Sequence, residues 1–253
     1  MHARPSRPSR RPEFLACLML LLVLPLTLSA TPARADATRT LTGEYPVGQA
    51  NRLEVALPFG EVRIEGTDGP RVQVRVQASC DDEGDCDKFL KRLRLESSNR
   101  SGTLHVKLEG TRFRNGLDLN NDRKNHWWGG HLRRDHDDDD DYDLDDTKIS
   151  VVVEVPRALQ VDLNMGAGEV NVDGLRHDLS IDLGAGEITV HMQDRHVGSV
   201  DVNMAIGETT IHQGGRTREY ARVLGSPVRW REGKGEAGID VNIGAGEVDV
   251  TLE

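Results

Sequence analysis

Apolar and polar residues alternate along most of residues 50–110 and 148–253. Early in the chain the apolar positions are Leu53, Val55 and Leu57, then Val62 and Ile64, then Val72, Val74 and Val76. A period of two is the mark of a strand with one buried face. In the C-terminal part the alternating segments come in pairs around a glycine corner. Gly166-Ala167-Gly168-Glu169 has near-copies at 184–187, 205–208 and 244–247. Each corner follows a longer apolar run (Val161, Leu163, Met165; Leu179, Ile181, Leu183; Val200, Val202, Met204; Ile239, Val241, Ile243). A shorter run comes after it (Val170, Val172; Ile188, Val190; Ile211; Val248, Val250). Strand, bend, strand, repeated at near-constant spacing, predicts a stacked array.

The second glycine of each corner falls at 168, 186, 207 and 246, at intervals of 18, 21 and 39 residues. The last interval is about two units, so a fifth corner is expected at Leu224-Gly225-Ser226-Pro227, with Arg222 where Met204 faces inward. Asp173-Gly174 and Gly214-Gly215 supply second turns. The expected fold is all-β, a short single-chain β-solenoid or β-helix of 18–21 residues per rung. Rungs stack about 4.8 Å apart, with inner columns Leu163, Ile181, Val202, Val241 and Met165, Leu183, Met204, Ile243. Aromatic residues make up only 4% of the chain, in keeping with a narrow interior. Pro58-Phe59-Gly60-Glu61 has the same grammar, so residues 36–110 read as a diverged N-terminal β portion of the array and 148–253 as its repeat portion. Phe89, Leu90, Leu93 and Leu95 depart from period two and predict a short helix or an irregular strand.

Two stretches lie outside this pattern. Residues 1–35 carry arginines at 4, 7, 10 and 11, an apolar run from Leu15 to Leu28, and Ala33-Arg34-Ala35 before Asp36, which together read as a secretory signal peptide. The run is short for a membrane span, so an exported mature chain, periplasmic or extracellular, is expected. Residues 111–147 hold His126-Trp127-Trp128-Gly129-Gly130-His131 and then nine aspartates between 135 and 146. Such a stretch has too little apolar surface to offset its ordering entropy and is expected to be a disordered insertion.

Composition narrows the function classes. The signal segment takes five arginines and one glutamate from 32 basic and 42 acidic side chains, leaving a net charge of −14. An anionic exported chain is a poor match for nucleic acid. Cys80 and Cys86 are expected to close a local disulfide in an oxidising compartment.

The repeated strand-(Asn/Asp)-φ-Gly-Ala-Gly-Glu-Val-x-Val unit, the Val-x-Val-Pro lead-in at 153–156 and Gly-Glu-Val-x-Ile-x-Gly at 60–66 resemble the bacterial putative-adhesin β-helix family. The resemblance covers about residues 50–110 and 148–253 and implies a short β-helix or solenoid of largely unassigned function. It carries over no catalytic residue, and the tryptophan and aspartate insertion departs from it.

Candidate chemistry is sparse. The corner glutamates Glu61, Glu169, Glu187, Glu208 and Glu247 can form an acid/base pair as in carbohydrate-active β-helix enzymes, but residues that recur with the repeat belong to the repeat. The corner positions Gly168, Glu169, Gly186, Glu187, Gly207, Glu208, Gly246 and Glu247 are therefore read as structural. Asp162, Asn164, Asp182, Asp201, Asn203, Asp240 and Asn242 form two outward ladders, expected to solvate the face or bond along the stack. Asp118, Asn120 and Asp122 open like a calcium loop, yet Arg123 and Gly129 stand where it needs Gly and Glu. Within the insertion, Asp137, Asp139 and Asp141 are candidate divalent-metal ligands, and Trp127 and Trp128 candidate ligand-binding aromatics. No cofactor is implied. The expected function is an exported, noncatalytic adhesin-like solenoid that binds or scaffolds an envelope or surface protein or polysaccharide, with self-association through the ends of the stack. The alternatives are a carbohydrate-active β-helix enzyme and a divalent-metal-binding envelope protein.

Overall fold

β-branched and leucine side chains at alternate positions favour extended backbone, and in the computed structural model nearly every such run is a strand. The structure describes residues 37–80, 85–110, 147–222 and 227–253. The expected signal segment, the insertion from 111 to 146 with Trp127, Trp128, Asp137, Asp139 and Asp141, and residues 224–226 of the expected fifth corner lie outside them.

In chain order the elements are β1 (Ala37–Pro46), β2 (Arg52–Thr67), β3 (Arg71–Cys80), helix α1 (Asp85–Arg92), β4 (Arg94–Arg100), β5 (Thr103–Glu109) and β6 (Thr147–Pro156). They continue as β7 (Gln160–Asp173), β8 (Leu179–Met192), β9 (Val197–Gln213), β10 (Arg216–Arg222), β11 (Val228–Trp230) and β12 (Ala237–Leu252). The chain is all-β. Its strands form one mixed sheet in the order β1-β3-β6-β2-β7-β8-β12-β9-β10, which does not close on itself.

The centre of the sheet is a parallel block, β2-β7-β8-β12-β9, in which every corner is in register. Gly60 lies beside Gly168, Gly168 beside Gly186, Gly186 beside Gly246, and Gly246 beside Gly207. These glycines have φ between +124° and +146°, a region closed to L side chains. There is also no room for one: a Cβ on Gly186 would collide with the carbonyl oxygen of Gly168. Backbone therefore packs on backbone through the stack, and the corner fixes the register of everything around it.

With the register fixed, like residues form buried columns. Val55, Leu163, Ile181, Val241 and Val202 make one, and Leu57, Met165, Leu183, Ile243 and Met204 another. Beyond the corner, Val62, Val170, Ile188 and Val248 continue inward, and the column ends on Thr209, a polar residue with no exposure. Each fully buried Val, Leu or Ile is worth about 1.5–3 kcal/mol.

At β2 the sheet forks. Before the corner its outer neighbour is β5, which carries β4; after the corner it is β6, followed by β3 and β1. Helix α1 joins the two branches and buries Phe89 and Leu90, and Leu93 just after it is buried too. A disulfide between Cys80, the last residue of β3, and Cys86 in the first turn of α1 fixes that junction, with Cα atoms 6.0 Å apart. At the opposite side Trp230 of β11 is buried against the same core.

Three expectations about the array are corrected. The stack does not follow the chain: β12, the last strand, sits between β8 and β9, so the inner column runs Leu163, Ile181, Val241, Val202. Among the described residues of the 39-residue interval, β10 and β11 pair antiparallel with β9 and add no rung to this parallel block. Gly214-Gly215 is a two-residue hairpin turn, with Gln213 opposite Arg216, and it sends β10 back antiparallel along β9. The third concerns Arg222, whose backbone lies opposite Gly207 across that hairpin and not at a strand position equivalent to Met204.

Candidate binding surface

The register that stacks the core also stacks the outward side chains. Three outer rows cross the five parallel strands. The first is Glu54, Asp162, Ser180, Asp240, Asp201, and the second Ala56, Asn164, Asp182, Asn242, Asn203. The third, at the corner itself, is Glu61, Glu169, Glu187, Glu247, Glu208, all exposed. Neighbouring members of a row are about one strand spacing, 4.8 Å, apart.

Amides tie the Asp and Asn rows together. Asn203 Nδ2 donates to Asn242 Oδ1 at 3.0 Å, and Asn242 Nδ2 donates to Asp182 Oδ1 at 2.9 Å and to Asp240 Oδ1 at 3.2 Å. Arginines hold the two sides. Arg52 pairs through Nε with Asp162, and that carboxylate holds the guanidinium above its ordinary pKa. Arg231 donates to Asp201 Oδ2 at 2.7 Å, while Arg229 Nε lies 3.7 Å from Oδ1 of the same residue. Between them Asp240 faces Asp201 directly. Burial, with the charges of Asp201 and Asp182, pushes its pKa up against the lowering effect of Asn242.

Asp162 departs from the expected outward ladder. It is only 3% exposed, because Arg52 on the neighbouring strand covers and neutralises it. Nothing in period-two alternation distinguishes it from Asp182 or Asp240; the available signal was a basic residue at the matching place before Leu53. Arg229 and Arg231 were likewise missed, since the segment carrying them was read as part of a rung.

Beyond the corner, His212 joins three strands. Its Nδ1 is 3.0 Å from Thr217 Oγ1 on β10 and its Nε2 is 3.0 Å from Asp249 Oδ2 on β12. Thr251 Oγ1 donates to the other oxygen of Asp249 at 3.2 Å. The arrangement is a cross-strand brace on an open sheet face. Ile206, 56% exposed, is the one large apolar side chain standing out from the surface among the described residues.

Of the residues singled out in the sequence, the structure brings the four repeat glutamates and Glu61 into a single row, and joins Cys80 to Cys86. Among the described residues no group of three His, Cys, Asp or Glu side chains is placed to hold a metal ion, and no helix is long and apolar enough to cross a membrane.

No family model matches the chain, and no curated protein matches it. Several solved structures are similar. A "putative cell adhesion protein" from Clostridium sporogenes is 12% identical, with 87% of this chain and 100% of that one covered at a TM-score of 0.45. A "putative adhesin" from Bacteroides fragilis is 9% identical over 85% of this chain and 97% of that one, at 0.30. A "putative lipid binding protein" from Parabacteroides distasonis is 11% identical over 83% and 96%, at 0.26. These scores are too low for any of the three to bear on function, so the reading below rests on the molecule's own geometry.

Proposed function

We propose that this chain is an exported, noncatalytic β-solenoid that binds an extended envelope or cell-surface polymer through its outer rows. The observation that carries the reading is the register. Five parallel strands carry carboxylate and amide groups in matching places, interrupted at Ser180, at Ala56 and at the covered Asp162, and the corner row is glutamate on every strand. A repeating surface matches a repeating partner, because each added unit engages an equivalent group without a new fit. Carboxylates and amides hydrogen-bond hydroxyl and amino groups, so a polysaccharide or a protein rich in such groups is the partner class. Residues 36–110 then belong to the same solenoid as 148–253, and the insertion at 111–147, with Trp127 and Trp128, adds specificity.

Retention of envelope fractions on immobilised protein tests the reading. Wild type is expected to hold a polysaccharide-containing or surface-protein fraction, and a variant with Asp182→Ala, Asn203→Ala and Asn242→Ala is expected to lose it while melting normally. Failure of the wild type to retain any fraction would remove the proposal's content. Cleavage of a glycan panel that disappears in Glu187→Gln with Glu208→Gln would instead favour a carbohydrate-active enzyme.

A further inference from the structure

The position of β12 has a consequence for self-association. β8 and β9 are consecutive in the chain, separated only by Gln193 and the short turn Asp194–His196, yet they do not pair with each other. The slot between them is filled by β12, which pairs in parallel with β8 from Ile239 to Leu252 and with β9 from Ala237 to Leu252. The slot is specific for this strand's pattern: Gly246 must meet Gly186 on one side and Gly207 on the other. Nothing in that fit depends on the inserted strand belonging to the same chain.

What makes it the same chain is the linker, residues 231–236. Trp230 lies opposite Val200 on one edge of β9, while Ala237 lies opposite Val197 on its other edge, so the linker crosses the start of β9. It crosses in close contact. A Cβ on Gly233 would collide with Val197 O, and one on Gly235 with the His196 carbonyl. Gly235 N donates to Val197 O at 3.2 Å. Arg218 of β10 grips the linker from outside, with both Nη atoms 2.8 Å from the Glu232 carboxylate. Glycines and one ion pair thus hold a tight hinge, and a hinge that opens releases a strand with a matching slot in every other copy.

We propose that the slot between β8 and β9 also accepts the C-terminal strand of a second copy of this chain, giving a dimer that closes by reciprocal exchange of β12. Each copy then keeps every backbone pairing of the monomer, and only the linker changes path. The surface involved is the inner slot and not the ends of the stack.

Ala185 and Ala245 are exposed and directly opposite in the β8–β12 pair, which supplies the test. Two full-length chains with Cys17→Ser, one carrying Ala185→Cys and the other Ala245→Cys, are unfolded together and refolded at increasing concentration, then treated with a short thiol-bridging reagent. Exchange predicts a covalent heterodimer linked between positions 185 and 245, rising with concentration. It should rise further when residues 233–235 are deleted, which makes the crossing too short for a chain's own strand. A chain carrying both Ala185→Cys and Ala245→Cys, refolded dilute, should bridge within itself and so proves the pair competent. If that chain bridges while the mixture gives no heterodimer at any concentration, with or without the deletion, the proposal is wrong. A heterodimer that forms equally with Thr251→Cys in place of Ala245→Cys reports random collision and overturns it as well.

Discussion

Asp240 of β12 faces Asp201 of β9 across a parallel pair, carboxylate beside carboxylate, with Asp182 nearby and a single amide, Asn242, donating to Asp240. Burial and these charges raise the Asp240 pKa above its ordinary 3.8. A raised folded-state value means that the folded chain holds this proton more tightly than the unfolded one. The stabilising contribution is therefore full below 3.8 and is lost as pH rises through the higher folded value. Asp240→Asn is expected to raise the melting temperature at neutral pH and to lose that advantage in acid, measured by thermal melts across the pH series. Glu232 works in the opposite sense, since the Arg218 guanidinium holds its pKa down and its contribution fades as pH falls.

Thr209 interrupts a column otherwise made of Val62, Val170, Ile188 and Val248, and its hydroxyl is buried without a hydrogen-bond partner. A buried hydroxyl left unpaired costs about 1–3 kcal/mol. Thr209→Val keeps the branched shape and removes the hydroxyl, so urea unfolding should show a gain of about 1 kcal/mol with an unchanged m-value.

A hairpin glycine and a corner glycine separate conformational strain from collision. Gly214 has φ +55° with open space around its Cα, whereas Gly186 has φ +142° and faces the Gly168 carbonyl. Gly214→Ala should cost about 1 kcal/mol, the strain of a left-handed L residue. Gly186→Ala adds a backbone collision in the middle of the stack and should cost about 3 kcal/mol or more, or prevent folding, as read by denaturant midpoints.

Five exposed glutamates in one row repel one another through water by about 1 kcal/mol or less per neighbouring pair at low ionic strength. Glu247→Gln removes two such contacts, those with Glu187 and Glu208, and should stabilise the fold by a few tenths to about 1 kcal/mol. Added salt should erase the difference between variant and wild type, because a screened row no longer distinguishes them. A stabilisation that persists in molar salt would assign the effect to something other than charge.

Much of the local structure was legible in the sequence. The glycine corners and the membership of the inward columns follow from periodicity and the steric demands of glycine, while the spacing of Phe89 and Leu90 left a short helix or an irregular strand open and the structure has the helix. The order of the strands was not, for a physical reason. β8, β9 and β12 carry nearly the same edge, with Gly186, Gly207 and Gly246 in equivalent places, so any pair of them satisfies the pattern equally. What decides is the hairpin at Gly214-Gly215, which occupies the far edge of β9 and leaves β12 only the near one. Asp162 was misread for a related reason: alternation assigns a face but does not say that Arg52 will roof it over.

The place of β12 also bears on the moment at which this protein becomes itself. β12 follows β8 and β9 in the sequence yet lies between them, so the inner edges of both stay open until β12 has been made. A chain without β12 leaves β9 with no parallel neighbour, so β12 is the strand whose arrival completes the parallel block.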